Sequence, residues 1–193
     1  MKAVIDIKTG NVQPFTALQL AAYSLLDAPV EFIADGHIYT DAPVDGFGRS
    51  YPSVTTILKA EGFIDTRFYD DWSRDRGSMI HLATAYDDAG ELDEENLDPV
   101  ILPYLAAWRR FRKESGFIPE QIEPPMMSTA YRYAGTPDRI GELPGRIKRA
   151  AVELHDDGTY RLVPFTDRQD VNIWLAALSV HNWKINNLKG RRT

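Results

Sequence analysis

The chain has 193 residues, 44% of them hydrophobic and 26% charged, enough to bury a core and too apolar for wholesale disorder. Its 28 acids against 22 bases leave a net charge of −6, which argues against a general polyanion binder held by bulk charge but not against a nuclease, whose metal ligands are acids. Cysteine is absent, which excludes disulfides, zinc–thiolate sites, iron–sulfur clusters and cysteine nucleophiles.

The opening MKAVIDIK turns polar too soon for a signal peptide, and no apolar run approaches the roughly 20 residues of a membrane span. A soluble, cytoplasmic protein is expected. Lys2 to Ile7 alternates weakly and is rich in Val and Ile, which predicts a strand. Gly10 to Pro14 is a loop. Phe15, Leu18, Ala22, Leu25 and Leu26 follow the helical period, predicting a helix over 15–26. Val30 to Thr40 predicts a hairpin turning at Asp35-Gly36, followed by a Gly/Pro/Asp-rich loop over 41–52. Ser53 is placed to cap a short helix, Val54 to Ala60. Phe68 to Asp88 reads as one long helix or two, with Gly77 inside. Asp98-Pro99 opens another, with Pro99 in its first turn, running to about Ser115.

Gln121 to Ser128 and Tyr131 to Leu143 read as strands, the second interrupted by Gly135-Thr136-Pro137. Arg146 to His155 and Tyr160 to Phe165 predict a hairpin around Asp157-Gly158, and Asp167 to Lys184 a final amphipathic helix before a polar, basic tail. The Trp residues and Met126-Met127 read as core. No internal repeat is visible. The simplest packing of this pattern is one α+β domain, a mixed sheet flanked by helices.

Strand alternation puts Asp6 and Lys8 on one face and sends Ile7 into the opposite layer. By itself such a pair is an ordinary solvated strand exit. One carboxylate does not hold Mg²⁺ for catalysis, because a hard cation takes one or two carboxylates plus waters and substrate phosphate. A second acid is available in GTPDRIGEL, where Asp138 follows Pro137. A proline at a strand position marks an edge, bulge or kink that could re-aim the acid. Taken alone, Asp138-Arg139 would be a turn or a surface pair.

The pairing of P-D with D-x-K resembles the PD-(D/E)XK nuclease superfamily, in its RecB-like and phage exonuclease branch. QLAAY, with Gln19 and Tyr23 sharing a helix face, matches the branch's Q-h-x-x-Y motif. RGSMIH, ending in His81, matches the upstream helix whose histidine is a metal ligand in RecB-like members. YPSVTTIL and YAGTPDRIGEL also look like segments of phage-encoded members, so the likeness covers most of the chain. The resemblance implies a restriction-endonuclease-like α/β fold over one domain, 1–193. It also implies a rearranged order, because the D-x-K strand and Q-h-x-x-Y helix (1–29) precede the 30–145 segment that carries the PD strand. The hairpin and last helix (146–193) stay at the end. The moved strand must still enter the sheet beside the Asp138 strand, and the joint at Pro29-Val30 is where strain or a domain swap is expected.

For function, the resemblance implies a Mg²⁺-dependent DNA nuclease (Mn²⁺ could substitute), an exonuclease acting in recombination, repair or DNA processing in a bacterial or phage-infected cell. Asp138, Asp6, the Ile7 carbonyl and His81 would be metal ligands. Lys8 would position the attacking water or stabilise the transition state, and Gln19 and Tyr23 would line the site. Glu123 is a looser candidate acid. Arg109, Arg110, Arg112 and Lys113 on one helix, or Lys184, Lys189, Arg191 and Arg192 near the end, could track a DNA backbone. A solvated helix face is the plainer reading of WRRFRK. Two alternatives stay open: an inactive DNA-binding or assembly module of the same fold, and a homo-oligomer or domain swap. A recombination partner protein is also open.

Overall fold

The structure, a computed structural model, describes residues 1–33, 38–40, 49–64 and 71–188. In chain order the elements are β1 (Lys2–Lys8), α1 (Phe15–Tyr23), β2 (Ala28–Pro29), β3 (Glu31–Ile33), β4 (Ile38–Thr40), β5 (Ser50–Tyr51), α2 (Val54–Ala60), α3 (Asp71–Ala89), a 3₁₀ turn (Glu94–Asn96), α4 (Leu102–Ser115), β6 (Ile118–Ile122), β7 (Met126–Ser128), β8 (Tyr133–Gly135), β9 (Arg139–Glu142), β10 (Arg149–Leu154), β11 (Tyr160–Pro164) and α5 (Gln169–Leu188). The expected turn at Asp35-Gly36, much of the 41–52 loop, the start of the 68–88 helix, and Lys189, Arg191 and Arg192 lie outside the described residues.

The elements gather into two compact units, each discontinuous in sequence. The first comprises Met1–Gln13, Thr66–Pro124 and Pro137–Thr166. It is built on a five-stranded mixed sheet in the order β11-β10-β1-β9-β6. β1 runs parallel to β10, from Val4↔Arg149 to Lys8↔Glu153, and antiparallel to β9, from Lys2↔Glu142 to Ile5↔Arg139. The strand at the head of the chain thus lies beside the strand that follows Asp138.

Alternation decides the faces. Ala3, Ile5 and Ile7 of β1 and Ala150, Val152 and Leu154 of β10 point into one apolar layer. There they meet Ile80 and Ala83 of α3 and Tyr104, Ala107, Trp108 and Phe111 of α4. Burying each large aliphatic in this layer stabilises by roughly 1.5–3 kcal/mol. Asp6, Lys8, Arg149 and Glu153 alternate to the other face.

α4 starts later than its sequence suggested. Asp98 accepts the Ile101 N–H in a turn at 2.8 Å, and Pro103, not Pro99, stands in the first helical turn. The predicted 121–128 strand is broken too. β6 ends at Ile122, Glu123 adopts φ 46°, and β7 resumes at Met126 in the other unit. The hairpin around Asp157-Gly158 forms as expected, with Gly158 at φ 79° and β10 antiparallel to β11.

The second unit comprises Pro14–Asp65, Pro125–Thr136 and Asp167–Thr193. It holds two three-stranded sheets, β2-β7-β8 and β3-β4-β5. α1 packs against α5, and α2 against both α5 and β8. Ser53 caps α2 as expected, its hydroxyl accepting the Thr56 N–H at 3.0 Å. The chain is therefore α+β, with a mixed sheet and helices packed on it. No helix among the described residues is long and apolar enough to cross a membrane.

Candidate active site

The β1–β9 ladder stops at Ile5↔Arg139, two residues short of Ile7. In place of a backbone partner, the Ile7 N–H donates to Asp138 Oδ2 at 2.6 Å. Asp138 stands one residue before β9, after the buried Pro137, so the proline hands the chain into the strand with the carboxylate turned toward β1. The N–H and C=O of one strand residue leave on the same edge, so the Ile7 carbonyl faces this side as well. Lys8 Nζ lies 2.8 Å from Asp6 Oδ2. His81 comes from α3, its Nδ1 3.6 Å from Asp138 Oδ1.

Asp6 is 1% exposed. Burial pushes its carboxyl up to about 6, against the pull of the Lys8 ammonium, and the negative charge of Asp138 adds to the rise. Four expected side chains, Asp6, Lys8, Asp138 and His81, therefore come together at one end of β1. Among the described residues, no group of three or more His, Asp and Glu side chains is arranged to hold a metal ion.

The flanking supports were not anticipated. Arg139 is fully buried, so Asp138-Arg139 is not the turn or surface pair it would be if taken alone. Strand alternation carries it away from Asp138 and toward α3. Its Nε donates to Asp88 Oδ2 at 2.6 Å, its Nη2 to Thr84 Oγ1 at 3.2 Å and its Nη1 to the Asp138 carbonyl at 2.7 Å. Asp88 also accepts from Trp108 Nε1 at 2.9 Å and Arg112 Nη1 at 2.6 Å. This network clamps the backbone at Asp138.

Glu153, 3% exposed, was missed entirely. It pairs in register with Lys8 and accepts from the Val12 N–H and from Arg161 Nε, each at 2.5 Å. The Arg161 hydrogen bond, then that of Val12, holds its carboxyl below the usual range against the effect of burial. Glu153 thereby pins the loop that leaves Lys8. A charged residue in the apolar strand RAAVEL, on the Asp6 face by alternation, was the available signal.

Gln19 and Tyr23 belong to the second unit. They form their own i,i+4 pair, Gln19 Nε2 donating to Tyr23 Oη at 3.1 Å. A Cβ on Gly135 would stand 2.7 Å from Tyr23 Cε1, so the bare glycine gives the ring its place. Glu123 is exposed, and its N–H donates to the Asp138 carbonyl at 2.9 Å. The basic helix is largely neutralised in place. Arg109 pairs with Asp87 and Glu94, Arg110 with Glu114, and Arg112 with Asp88, while Lys113 is exposed. The plainer reading of WRRFRK, charges outside with Trp108 and Phe111 buried, describes this helix. The chain matches no family model, no curated protein and no solved structure.

Proposed function

We propose that the chain is a Mg²⁺-dependent deoxyribonuclease of the PD-(D/E)XK type, an exonuclease of the RecB-like and phage branch that hydrolyses phosphodiester bonds in recombination, repair or DNA processing in the cytoplasm. The observation that carries this reading is the meeting of Asp138 with the Asp6–Lys8 end of β1 across the Ile7 N–H···Oδ2 bond of 2.6 Å. The two carboxylates come from segments far apart in sequence. The alternative of an inactive module rested on the rearranged order misplacing Asp6 and Lys8 relative to Asp138. The β1–β9 pairing supports the active reading over that alternative.

The donor set suits a hard divalent cation. Asp6 and Asp138 offer carboxylate oxygens of the kind a hard cation takes, with the Asp6 charge met here by the Lys8 ammonium at 2.8 Å. Mg²⁺ is ordinarily held by one or two carboxylates, with water and phosphate completing its shell, so a site on two carboxylates does not need three protein ligands. Asp6 and Asp138 would hold the ion, with the Ile7 carbonyl as a further oxygen donor and His81 beside Asp138. When bound, such an ion acidifies a coordinated water and neutralises charge building on the phosphate.

The chain's own groups do the rest. Lys8 brings a compact positive charge to the phosphate, where the charge of the transition state develops. The Ile7 N–H holds the Asp138 carboxylate in one orientation, so little reorganisation is needed at the moment of reaction. Glu153 and Arg139 keep the loop after Lys8 and the backbone at Asp138 from drifting.

The test is degradation of linear duplex and single-stranded DNA with Mg²⁺ or Mn²⁺ by the wild type, Asp6→Asn, Asp138→Asn and Lys8→Ala. Each variant should lose roughly 100-fold or more in rate, the scale of removing one preorganised charge-stabilising group. Equal rates in all four proteins, or cutting that persists in EDTA, would sink the proposal.

A further inference from the structure

α3 carries an apolar face besides the one it buries. Ile80 and Ala83 point into the core layer, while Trp72, Met79, Leu82 and Tyr86 are 62%, 44%, 54% and 45% exposed. Trp72, Met79 and Tyr86 recur every seven residues, and Leu82 follows Met79 by three, the spacing by which one helix packs along another. An exposed apolar seam of this kind marks a surface that meets a partner.

The two ends of the seam differ in charge. At the carboxyl-terminal end Met79, Leu82 and Tyr86 open into a hollow of about 490 Å³ that Leu92 and Leu97 help to wall. Its charged residues are Glu91, Asp93 and Asp98, and no lysine or arginine lines it. Glu91 is exposed and pairs with no base among the described residues. At the amino-terminal end Arg76 lies against Trp72, its guanidinium 4.3 Å from the indole centroid. The Arg76 Nε is buried without a hydrogen-bond partner, and no acid among the described residues pairs with this side chain. One end therefore offers a large aromatic beside an unpaired cation, and the other an apolar hollow rimmed by acids.

We propose that the partner of this seam is α3 of a second copy, laid antiparallel across the first. Leu82 lies midway in sequence between Trp72 and Leu92. A two-fold axis passing at Leu82 carries Trp72 and Arg76 of each copy to the hollow of the other. There the indole fills the apolar space and the guanidinium faces Glu91. Charge sets the direction, since a parallel pair would place Arg76 against Arg76 and Glu91 against Glu91. The surface is its own complement, so the contact closes at two copies. His81 stands about two and a half turns along α3 from Trp72, so its side chain leaves the opposite flank of the helix, toward Asp138. The seam includes none of the residues assigned to the nuclease site, and the proposal is independent of that reading.

The chain has no cysteine, so one introduced at Leu82 reads the axis directly. Under mild oxidation Leu82→Cys should form a disulfide-linked dimer about 10-fold faster than Val180→Cys on α5, because the dimer holds the Leu82 positions at high effective concentration. Sedimentation equilibrium of the full chain should show monomer and dimer and nothing larger. Trp72→Ser/Leu82→Ser, both at side chains more than half exposed, should fold like the wild type by circular dichroism and stay monomeric. Arg76→Glu and Glu91→Arg should each weaken the dimer about 10-fold or more through like-charge contacts. Mixed one to one, these two should regain wild-type affinity, because each mixed pair restores two opposite-charge contacts. If Arg76→Glu does not fold, the cross-link and the apolar double variant decide. A wild type that is monomeric at every concentration would overturn the proposal. So would a dimer that survives Trp72→Ser/Leu82→Ser, association beyond two copies, a mixture of folded charge variants no tighter than its components, or Leu82→Cys cross-linking no faster than Val180→Cys.

Discussion

Asp6 is a buried carboxylate paired with Lys8, and the sign of its effect on stability follows from its raised pKa. Its carboxyl titrates near 6 in the folded chain against 3.8 as a free side chain. Between those values the folded state holds a proton that the unfolded state has lost, so stability falls as pH rises through the window. The difference of about 2 units corresponds to about 3 kcal/mol. Asp6→Asn cannot titrate, and Lys8, a quarter exposed, can turn to solvent when its partner goes. In EDTA, urea unfolding of the wild type should therefore weaken from about pH 4 to pH 7 relative to Asp6→Asn, and at pH 7 the variant should be the more stable protein. Parallel stability curves for the two proteins across that range would refute this. Arg139 is the opposite case, a buried charge whose partners are all in place. Arg139→Met should lower stability by about 3 kcal/mol in urea unfolding, the lower end for a broken buried pair. The milder figure applies because Arg112 and Trp108 still hold Asp88. A loss below about 1 kcal/mol would mean that the pair is replaceable by apolar packing. Asp6, Lys8 and Asp138 were legible because alternation and a proline-marked strand entry are local signals. Arg139, Asp88 and Glu153 were not, since their roles depend on which strands become neighbours.

At the scale of elements, the β6–β9 pair shows what local pattern leaves out. Its register shifts between Pro119 and Gln121, and the irregularity brings the backbone of β6 down onto Gly141. A Cβ there would stand 2.2 Å from the Ile118 carbonyl oxygen and 2.9 Å from Pro119 Cα, atoms that cannot move without breaking the strand. Gly141→Ala should therefore cost about 1–3 kcal/mol by overpacking, read as a lower melting temperature. Gly77 is its counterpart. It sits inside α3, and a Cβ would meet only Thr9 Oγ1 at an ordinary 3.5 Å. Gly77→Ala should raise stability by about 0.5–1 kcal/mol, because alanine has less backbone freedom to lose on folding. Shifts of the same sign in the two variants would count against one of these two placements. Neither glycine differs from the other in sequence context in a way that predicts the contrast. The same limit hid the break at Glu123, where residues 121–128 read as one strand but serve two sheets. It also hid the choice of Pro103 over Pro99, since either proline can occupy a first turn.

At the scale of the whole molecule, β1 has partners far along the chain on both sides. Its parallel neighbour begins at Arg149 and its antiparallel neighbour at Arg139. The sheet of the first unit is therefore completed only when the ends of a long segment meet, which makes its loop-closure entropy large and its folding slow. The sheet order also makes β1 the only link among its strands between the β10–β11 hairpin and the β9–β6 pair. Met1 extends that role, its carbonyl accepting the Leu143 N–H at 3.1 Å. A chain that begins at residue 9 should lose more than two site residues. The apolar layer would lack Ala3, Ile5 and Ile7, and each remaining pair of strands would be left with an open edge. Two-stranded pieces are marginal in water, so both should open together. Hydrogen exchange should show protection lost across 139–142 and 149–154 alike, with the truncated chain aggregating through its bared strand edges. If instead both segments keep wild-type protection, β1 is an edge addition rather than the strand that closes the sheet. The meeting of Asp6 with Asp138, on which the nuclease reading depends, would then lose its structural basis.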